Sequence, residues 1–409
     1  MQSVQPTPQL STSALLCRAC CGLLVLSMLS LSACSPSRVN LEQPSIPTSS
    51  TDLAALSSII VPVSEPVPPV LEPPTQQHCA SQITLDKRVG QLMFPLLFQS
   101  EFGLAVELAS LGMLGGVVVL GSPDNSIRDD IALFQKHGLF GPGIVAVDEE
   151  GGRVQRLSKL TSKVPSARKV AATLEIEQAR QLAAEHASAI GQLGFTMNLA
   201  PVADLDFNRA IGDRSFGRDA NLVSDFAMAT AEGILDVGLV PVLKHFPGHG
   251  RGSDSHTGLP IIPAVKVLRD QDLVPFIAAA ERKDIPIMVG HLVVEGLTQG
   301  QPASLSAAAV DGLLRRELGF DGLVITDAFN MDAITATLSN TKAAELSLAA
   351  GVDMVMLGSL ADTVSTVAHV VESVKAGRIS EESITESFLR VMHTRAIDVC
   401  ALRQAQSSI

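Results

Sequence analysis

The chain alternates short apolar runs with segments in which apolar residues recur every three or four positions. The second pattern, typical of amphipathic helices, occurs at 179–193 and 342–351. The apolar runs have the length of buried strands and lie at 89–95, 115–121, 143–150, 195–202, 241–246, 285–291, 322–328 and 352–358. Strands that alternate with helices over about 320 residues predict an α/β protein with a parallel sheet. Eight such units predict a single (β/α)8 barrel of the TIM type, and an open doubly wound sheet is the alternative.

The first 33 residues have the pattern of an export signal. Arg18 precedes an apolar stretch at 19–31, which is short for a membrane span because a span needs about 20 residues. The stretch ends in L-S-A-C at 31–34, which resembles a bacterial lipobox, so Cys34 is expected to carry lipid. A plain signal peptide or an uncleaved anchor helix is the alternative. We therefore expect an exported protein of the cell envelope that is anchored to a membrane through Cys34, on its periplasmic or extracellular face.

The rest of the chain divides into a linker, one large domain and a tail. Residues 34–78 are rich in Ser, Pro and Thr, a composition that cannot pair its backbone into a sheet and predicts an extended tether. Residues 79–403 suit one domain, and 404–409 form a short tail. Cys79 and Cys400 lie near the two ends of the domain. Outside the cytoplasm they could form a disulfide, or they could be two unrelated thiols.

Composition narrows the range of partners. The formal net charge is −12, and no basic patch of the kind that nucleic-acid binding requires is evident. The chain has no Trp and no Tyr, so a sugar face could stack only on Phe or His. We expect a monomer that binds a small molecule and no nucleic acid.

Polar side chains collect at the ends of the apolar runs. They are Asp148, Glu150, Asp204, Lys244, His245, His291 and Asp327. In a barrel of this type the carboxyl ends of the strands face one mouth, so these groups are expected to converge. Asp204 and His291 are each expected to line the pocket there, and for His291 a hydrogen-bonded rim position is the alternative.

The densest segment is L-K-H-F-P-G-H-G-R-G-S-D-S-H at 243–256. So many ionisable groups at the end of a strand indicate a functional site, and a polar surface loop is the alternative. Metal binding by His245, His249 and His256 is a weaker hypothesis, because their spacing matches neither H-E-x-x-H nor a Cys/His pattern. We expect no metal and no cofactor.

Five motifs occur in the order of a known family. They are V-D-E-E-G-G-R-V-Q-R (147–156), N-L-A-P-V-A-D (198–204), I-G-D-R-S-F-G (211–217), K-H-F-P-G-H-G with D-S-H (244–256) and E-L-G-F-D-G-L-V-I-T-D (317–327). Together they resemble glycoside hydrolase family 3, in particular its single-domain NagZ-type β-N-acetylglucosaminidases. The resemblance implies a barrel, retaining removal of terminal N-acetylglucosamine, and peptidoglycan fragments as substrates.

The resemblance also implies roles for individual residues. Asp327 corresponds to the catalytic nucleophile, and His256, oriented by Asp254, to the general acid/base. The positions that hold the sugar are Asp148, Arg156, Arg214, Lys244 and His245. Lys244 and Arg214 are expected to keep the pKa of Asp327 low. A helix N-cap is the alternative role for Asp327, and Glu149 or Glu150 is the alternative acid.

The chain departs from the family pattern at two points. The K-H to D-S-H spacing is one residue short, which affects the reach of the loop, and Ala328 follows the nucleophile where a second Asp is common. A β-glucosidase, a broader-range glycosidase, a phosphorylase of the same fold, and a non-catalytic protein that binds wall fragments are the alternative functions.

Overall fold

The computed structural model describes residues 75–402, which form an α/β domain. The signal peptide, Cys34, the linker up to residue 74 and the tail 404–409 lie outside the described residues. The strands are β1 (Leu96–Phe98), β2 (Gly116–Leu120), β3 (Ile144–Val147), β4 (Glu149–Gly151), β5 (Val154–Gln155), β6 (Met197–Asn198), β7 (Val240–Pro241), β8 (Leu243–Phe246), β9 (Ile261–Ile262), β10 (Ile287–Val289), β11 (Val293–Val294) and β12 (Val324–Thr326).

Helices lie between most of these strands. They are α1 (Gln76–Ser81), α2 (Leu85–Gly90), α3 (Phe102–Ser110), α4 (Ile127–His137), α5 (Ala167–Thr173), α6 (Ile176–Gln192), α7 (Ala220–Asp236), α8 (Val265–Leu268), α9 (Val274–Ala280), α10 (Asp332–Thr335), α11 (Asn340–Ala349), α12 (Thr363–Lys375) and α13 (Glu381–Thr394). A π-helical segment, Ala308–Glu317, precedes β12. The predicted helical segments 179–193 and 342–351 correspond to α6 and α11.

Within residues 75–402 the strands form four separate sheets, of which the β4–β5 pair is antiparallel and the other three are parallel, so the prediction of one closed TIM-type barrel is not confirmed. One sheet has five strands in the order β1-β2-β3-β6-β7, and another has three in the order β12-β10-β8. The apolar run 241–246 is divided between them. The N–H groups of Val242 and Lys244 donate to Ala200 O and Pro201 O, whereas the N–H of Leu243 donates to Pro286 O. Successive residues of this run therefore bond to alternate sides, as in a strand with a neighbour on each side.

Two further runs do not form the strands that were predicted. Residues 352–358 contribute only isolated bridges, Ile325–Met354 and Met93–Val355, where a continuous strand was expected. The run 89–95 begins inside α2 and precedes β1. Pro95 has no N–H to donate, but the N–H groups of Phe94 and Leu96 on either side of it donate to Val355 O and Leu357 O, so pairing with 355–357 continues past the proline.

The core is made of the apolar strand residues and the helix faces that cover them. β2, β3, β10 and β12 are almost entirely buried, as expected for parallel strands with both faces covered. Helices α6 and α7 pack closely because small residues line the contact. A Cβ placed on Gly233 would lie 2.2 Å from Arg180 O, so only glycine allows this approach.

A disulfide joins the two ends of the described domain, which confirms one of the two alternatives for these cysteines. Cys79 and Cys400 are bonded, with their Cα atoms 5.2 Å apart and a sequence separation of 321 residues. Cross-linking so long a loop restricts the unfolded chain and stabilises the fold by about 6 kcal/mol in the loop-entropy treatment. None of the helices in residues 75–402 combines the length and apolar character that crossing a membrane would require.

Candidate active site

The carboxyl ends of the parallel strands surround a cavity of about 820 Å³. Loops after β3, β6, β8 and β12 form its wall. All eight residues predicted as catalytic or sugar-binding line it: Asp148, Arg156, Arg214, Lys244, His245, Asp254, His256 and Asp327. The cavity therefore brings together side chains as far apart in sequence as Asp148 and Asp327, so that they can act on one ligand.

Asp327 follows β12 and is 7% exposed at the inner end of the cavity. Its Oδ1 accepts the N–H of Ala328 at 2.8 Å, and its Oδ2 lies 4.0 Å from Nε2 of His245. Burial alone raises the pKa of Asp327, but the His245 and His291 rings, the Ala328 N–H and Lys244 together hold that pKa below its ordinary value. The carboxylate therefore stays ionised and can act as a nucleophile.

The ring of His245 is held from behind by a buried carboxylate. Nδ1 of His245 lies 2.7 Å from Oδ2 of Asp204, and Oδ1 of Asp204 accepts the backbone N–H groups of His245 and His249 at 3.2 and 2.6 Å. Burial raises the pKa of Asp204, but the His245 and His249 rings outweigh it and lower that pKa. Asp204 lies beneath the cavity wall, so the expectation that it lines the pocket is wrong.

A network of opposite charges forms the cavity floor. Nζ of Lys244 lies 2.7 Å from Asp148 Oδ1 and 2.6 Å from Glu150 Oε1, and Arg214 binds both oxygens of Glu150 at 2.7 and 2.8 Å. Burial opposes the charged form of each group. Lys244 and Arg214 nevertheless bring the pKa of Glu150 far below its usual range, while Asp148 and Glu150 raise the pKa of Lys244. Glu150 is therefore ionised and cannot supply a proton.

This network corrects one expectation about Asp327. Lys244 does contribute to the low pKa of Asp327, after His245 and His291. Arg214 is instead engaged in the two-point contact with Glu150, and its own pKa is raised by that carboxylate against the effect of burial. The charge of Asp327 therefore depends mainly on histidines, which the sequence did not indicate.

Asp254 and His256 form a pair at the rim of the cavity. Oδ1 of Asp254 lies 2.9 Å from Nδ1 of His256 and also accepts the backbone N–H of His256 at 3.0 Å. This N–H, followed by the imidazole contact, lowers the pKa of Asp254 although partial burial opposes the shift. An ionised Asp254 holds the proton of His256 on Nδ1 and leaves Nε2 for the ligand. The His256 side chain is 66% exposed.

Arginines form much of the outer rim. Arg153 donates to the carbonyls of Ala210 and Ile211 at 2.6 and 3.0 Å and lies 3.5 Å from Asp213. Arg156 and Arg209 also line the cavity, and within residues 75–402 no carboxylate lies within 4.0 Å of either guanidinium. Two uncompensated positive charges therefore face the mouth of a cavity in an acidic protein.

Glu149, an alternative for the acid, and His291, which was expected to line the pocket, both lie outside the cavity lining. Glu149 is buried against His186, whose Nε2 lies 3.0 Å from Oε2 of Glu149, so it is not placed to act as an acid. His291 is fully buried, with Nδ1 2.7 Å from Ser304 Oγ and Nε2 3.1 Å from Ala328 O. Burial lowers the pKa of His291. His291 thus supports the backbone beside Asp327 and does not line the pocket.

Other contributors were not identified from the sequence. His249 lies 3.3 Å from Ser255 Oγ, and Asn208 contacts the backbone of the loop that leads to His256. The sequence offered only metal binding as a role for His249, and Asn208 lies in no motif. In the described part of the chain no group of three or more His, Cys, Asp or Glu side chains is arranged to hold a metal ion.

The site and fold place the chain in a known class. The model of the glycosyl hydrolase family 3 N-terminal domain matches residues 84–394. The chain belongs to glycosyl hydrolase family 3, which confirms the resemblance seen in its motifs.

Individual relatives agree with this assignment. The chain is 39% identical over 290 residues to the protein named beta-hexosaminidase LpqI from Mycobacterium tuberculosis, a match that covers 68% of this chain and 74% of LpqI. A beta-hexosaminidase from Xylella fastidiosa is 37% identical over 225 residues, covering 53% of this chain and 67% of that protein.

Solved structures agree as well. The structure of M. tuberculosis LpqI has a TM-score of 0.74 at 36% identity and covers 79% of this chain and 96% of its own. A family 3 β-N-acetylglucosaminidase from Paenibacillus has a TM-score of 0.71 at 31% identity, covering 78% of this chain and 63% of that one.

The charge network predicts a specific dependence of stability on pH. The folded-state pKa values of Glu150, Asp204 and Asp327 lie below their unfolded values, so the unfolded chain binds more protons in acid. This stability is fully present above about pH 5 and is lost as pH falls through the folded-state pKa values. We expect the free energy of unfolding, measured by urea denaturation from pH 5 to pH 3, to decrease steadily.

The contribution of Glu150 can be isolated. Glu150→Gln leaves Lys244 and Arg214 with less compensation and should cost about 3–5 kcal/mol at pH 5 and much less at pH 3. The exposed Glu107→Gln on α3 is the matched control and should retain the wild-type slope. An unchanged slope in Glu150→Gln would contradict the proposed charge network.

Proposed function

We propose that this protein is a retaining exo-β-N-acetylglucosaminidase that releases terminal N-acetylglucosamine from peptidoglycan fragments. The observation that carries the proposal is an ionised, buried Asp327 in the same cavity as the Asp254–His256 pair. Retaining hydrolysis needs a nucleophile at the anomeric carbon and a separate proton donor for the leaving oxygen. The names of the relatives, beta-hexosaminidase and β-N-acetylglucosaminidase, support this sugar specificity.

The reaction proceeds in two steps. Oδ2 of Asp327 attacks the anomeric carbon while Nε2–H of His256 protonates the departing glycosidic oxygen, so the C–O bond breaks and a glycosyl-aspartate ester forms. Neutral His256 then takes a proton from water, whose oxygen attacks the same carbon and releases Asp327. Asp254 stays ionised through both steps and stabilises the imidazolium, as the aspartate does in serine-hydrolase triads.

The cavity floor suits the hydroxyl groups of the first sugar. Lys244 and Asp148 present a donor and an acceptor 2.7 Å apart, and Asp148 retains 26% side-chain exposure toward the cavity. His245, locked by Asp204, directs Nε2 toward the space next to Asp327. Arg214 belongs to the same floor, whereas Arg156, the other predicted sugar contact, belongs to the rim. Fixed polar groups of this kind bind a sugar with little reorganisation.

The exposed arginines at the rim suit a substrate with an anionic leaving group. The floor of the cavity is closed by buried side chains, so a substrate with its terminal sugar at Asp327 extends its remainder past the exposed Arg156 and Arg209. N-Acetylmuramic acid carries a lactyl carboxylate, and attached peptides carry more. Arginine is well suited to carboxylates because its planar donors can bind both oxygens.

The first prediction concerns the nucleophile. Asp327→Ala should lower turnover of 4-nitrophenyl N-acetyl-β-glucosaminide by at least about 10⁴-fold, since no other group can form the ester. In the wild type, a 2-fluoro sugar should add mass to the peptide that contains Asp327. The matched control is Asp321→Asn, an exposed residue before the opposite end of β12 that pairs with Lys283.

Other outcomes would redirect the assignment. Label on another peptide, or near-normal turnover by Asp327→Ala, would reject Asp327 as the nucleophile. Sugar binding without turnover in the wild type would indicate a non-catalytic protein. Faster hydrolysis of the corresponding glucoside would indicate a β-glucosidase, and glycosyl phosphate as product in phosphate buffer would indicate a phosphorylase.

A second prediction concerns the rim. Arg209→Gln should lower kcat/KM by about 3- to 10-fold for N-acetylglucosaminyl-N-acetylmuramic acid, because one charge-assisted contact is lost. The value for neutral di-N-acetylchitobiose should change less than about 2-fold. Arg128→Gln on α4, also an exposed arginine without a carboxylate in the described residues, is the control. Equal losses on both substrates would argue against the anionic leaving group.

The third prediction tests the proposed location in the cell envelope, which rests on L-S-A-C at 31–34. Cys34→Ala should move the protein from the membrane fraction to the soluble fraction, because the lipid attachment site is removed. Cys17→Ala, upstream of this motif, should leave the distribution unchanged. Membrane association that survives Cys34→Ala would indicate an uncleaved anchor instead of a lipid.

A further inference from the structure

A single amide side chain connects the two loops that border the cavity. Nδ2 of Asn208 lies 3.1 Å from the carbonyl oxygen of His249 and 3.0 Å from that of Gly250, and it also contacts the carbonyl of Gly252. Oδ1 of Asn208 accepts the backbone N–H of Ile211 at 2.9 Å. The donor end of Asn208 therefore holds the loop that leads to His256, and its acceptor end holds its own loop.

The geometry at this point requires an amide. The three carbonyls need a donor, and the Ile211 N–H needs an acceptor. An aspartate of the same shape has no donor and would place its charge against carbonyl oxygens. The backbones are also in close contact, since a Cβ on Gly250 would lie 1.9 Å from Leu205 O.

Beyond Gly252 the loop is held at Ser255, whose carbonyl accepts the N–H of Ala333 at 3.2 Å and whose Oγ lies 3.3 Å from Nε2 of His249 and 3.5 Å from Sδ of Met331. The hydrogen bonds between Asp254 and His256 are internal to the loop. His256 itself is largely exposed. The position of its imidazole relative to Asp327 therefore depends on how firmly the segment 249–252 is held.

We propose that Asn208 is a positioning residue for the acid/base function of His256. It acts by fixing the backbone at 249–252, so that Nε2 of His256 reaches the leaving oxygen. The inference rests on the proposed function, because it assumes that His256 donates a proton to the leaving group. Neither the family motifs nor the sugar-binding set includes Asn208.

The dependence on the leaving group tests this role. For Asn208→Asp, kcat/KM should fall about 10- to 100-fold for phenyl N-acetyl-β-glucosaminide, whose departure needs a proton. The value for the 2,4-dinitrophenyl substrate should change less than about 3-fold, since that leaving group departs without an acid. kcat/KM is the appropriate quantity because it covers only the steps through formation of the glycosyl-enzyme.

Two further variants keep the result interpretable if Asn208→Asp does not fold. Asn208→Gln retains the amide and should recover part of the activity on the phenyl substrate. Asn221→Ala, exposed on α7, is the control and should behave as the wild type on both substrates. Equal losses of Asn208→Asp on the two substrates would overturn the proposal and leave Asn208 a purely structural residue. If Asn208→Asp does not fold, equal losses of Asn208→Gln would do the same.

The variant His256→Ala distinguishes failure of the proposed function from failure of the positioning role of Asn208. If His256→Ala loses activity equally on both substrates while Asp327 still takes up the 2-fluoro label, then His256 is not the acid and the premise fails. If His256→Ala shows the selective loss and Asn208→Asp does not, then the positioning role alone is rejected.

Discussion

The arrangement of the cavity depends on one buried carboxylate, that of Asp204. It is fully buried and accepts N–H groups from the backbones of His245 and His249, while its other oxygen contacts the ring of His245. An unpaired charge in this position would cost several kcal/mol, so the carboxylate and its donors fix one another. The same contacts aim His245 at Asp327 and hold the start of the loop that carries His256.

The elements of the fold could be predicted more fully than their assembly. Burial on both faces leaves a local signature, so the runs at 115–121, 285–291 and 322–328 each contain a strand. The way in which the strands join into sheets depends instead on hydrogen bonds between distant residues. In the run 241–246, Val242 bonds to Ala200 on one side and Leu243 bonds to Pro286 on the other. No local pattern specifies which distant segments supply these partners.

The residues of the candidate site could likewise be predicted only in part from the sequence. The positions of Asp148 and Asp327 directly after apolar runs were sufficient to predict that they would line one cavity. The adjacent Glu149 and Glu150 could not be assigned, because neighbouring residues of a strand face opposite sides and the sequence does not say which side is the cavity. In the structure Glu150 meets Lys244 and Arg214, whereas Glu149 is buried against His186.

The two residues proposed to perform the chemistry lie in opposite environments, and each environment suits its role. Asp327 must keep one charge state, so burial helps it only because His245 and the Ala328 N–H compensate for the lost water. His256 must instead give up and regain a proton in every cycle. Its imidazole is 66% exposed, so the attacking water can reach it, while Asp254 keeps the ring in one orientation. Burying both groups would fix their geometry but would keep that water, from which the acid regains its proton, away from the ring.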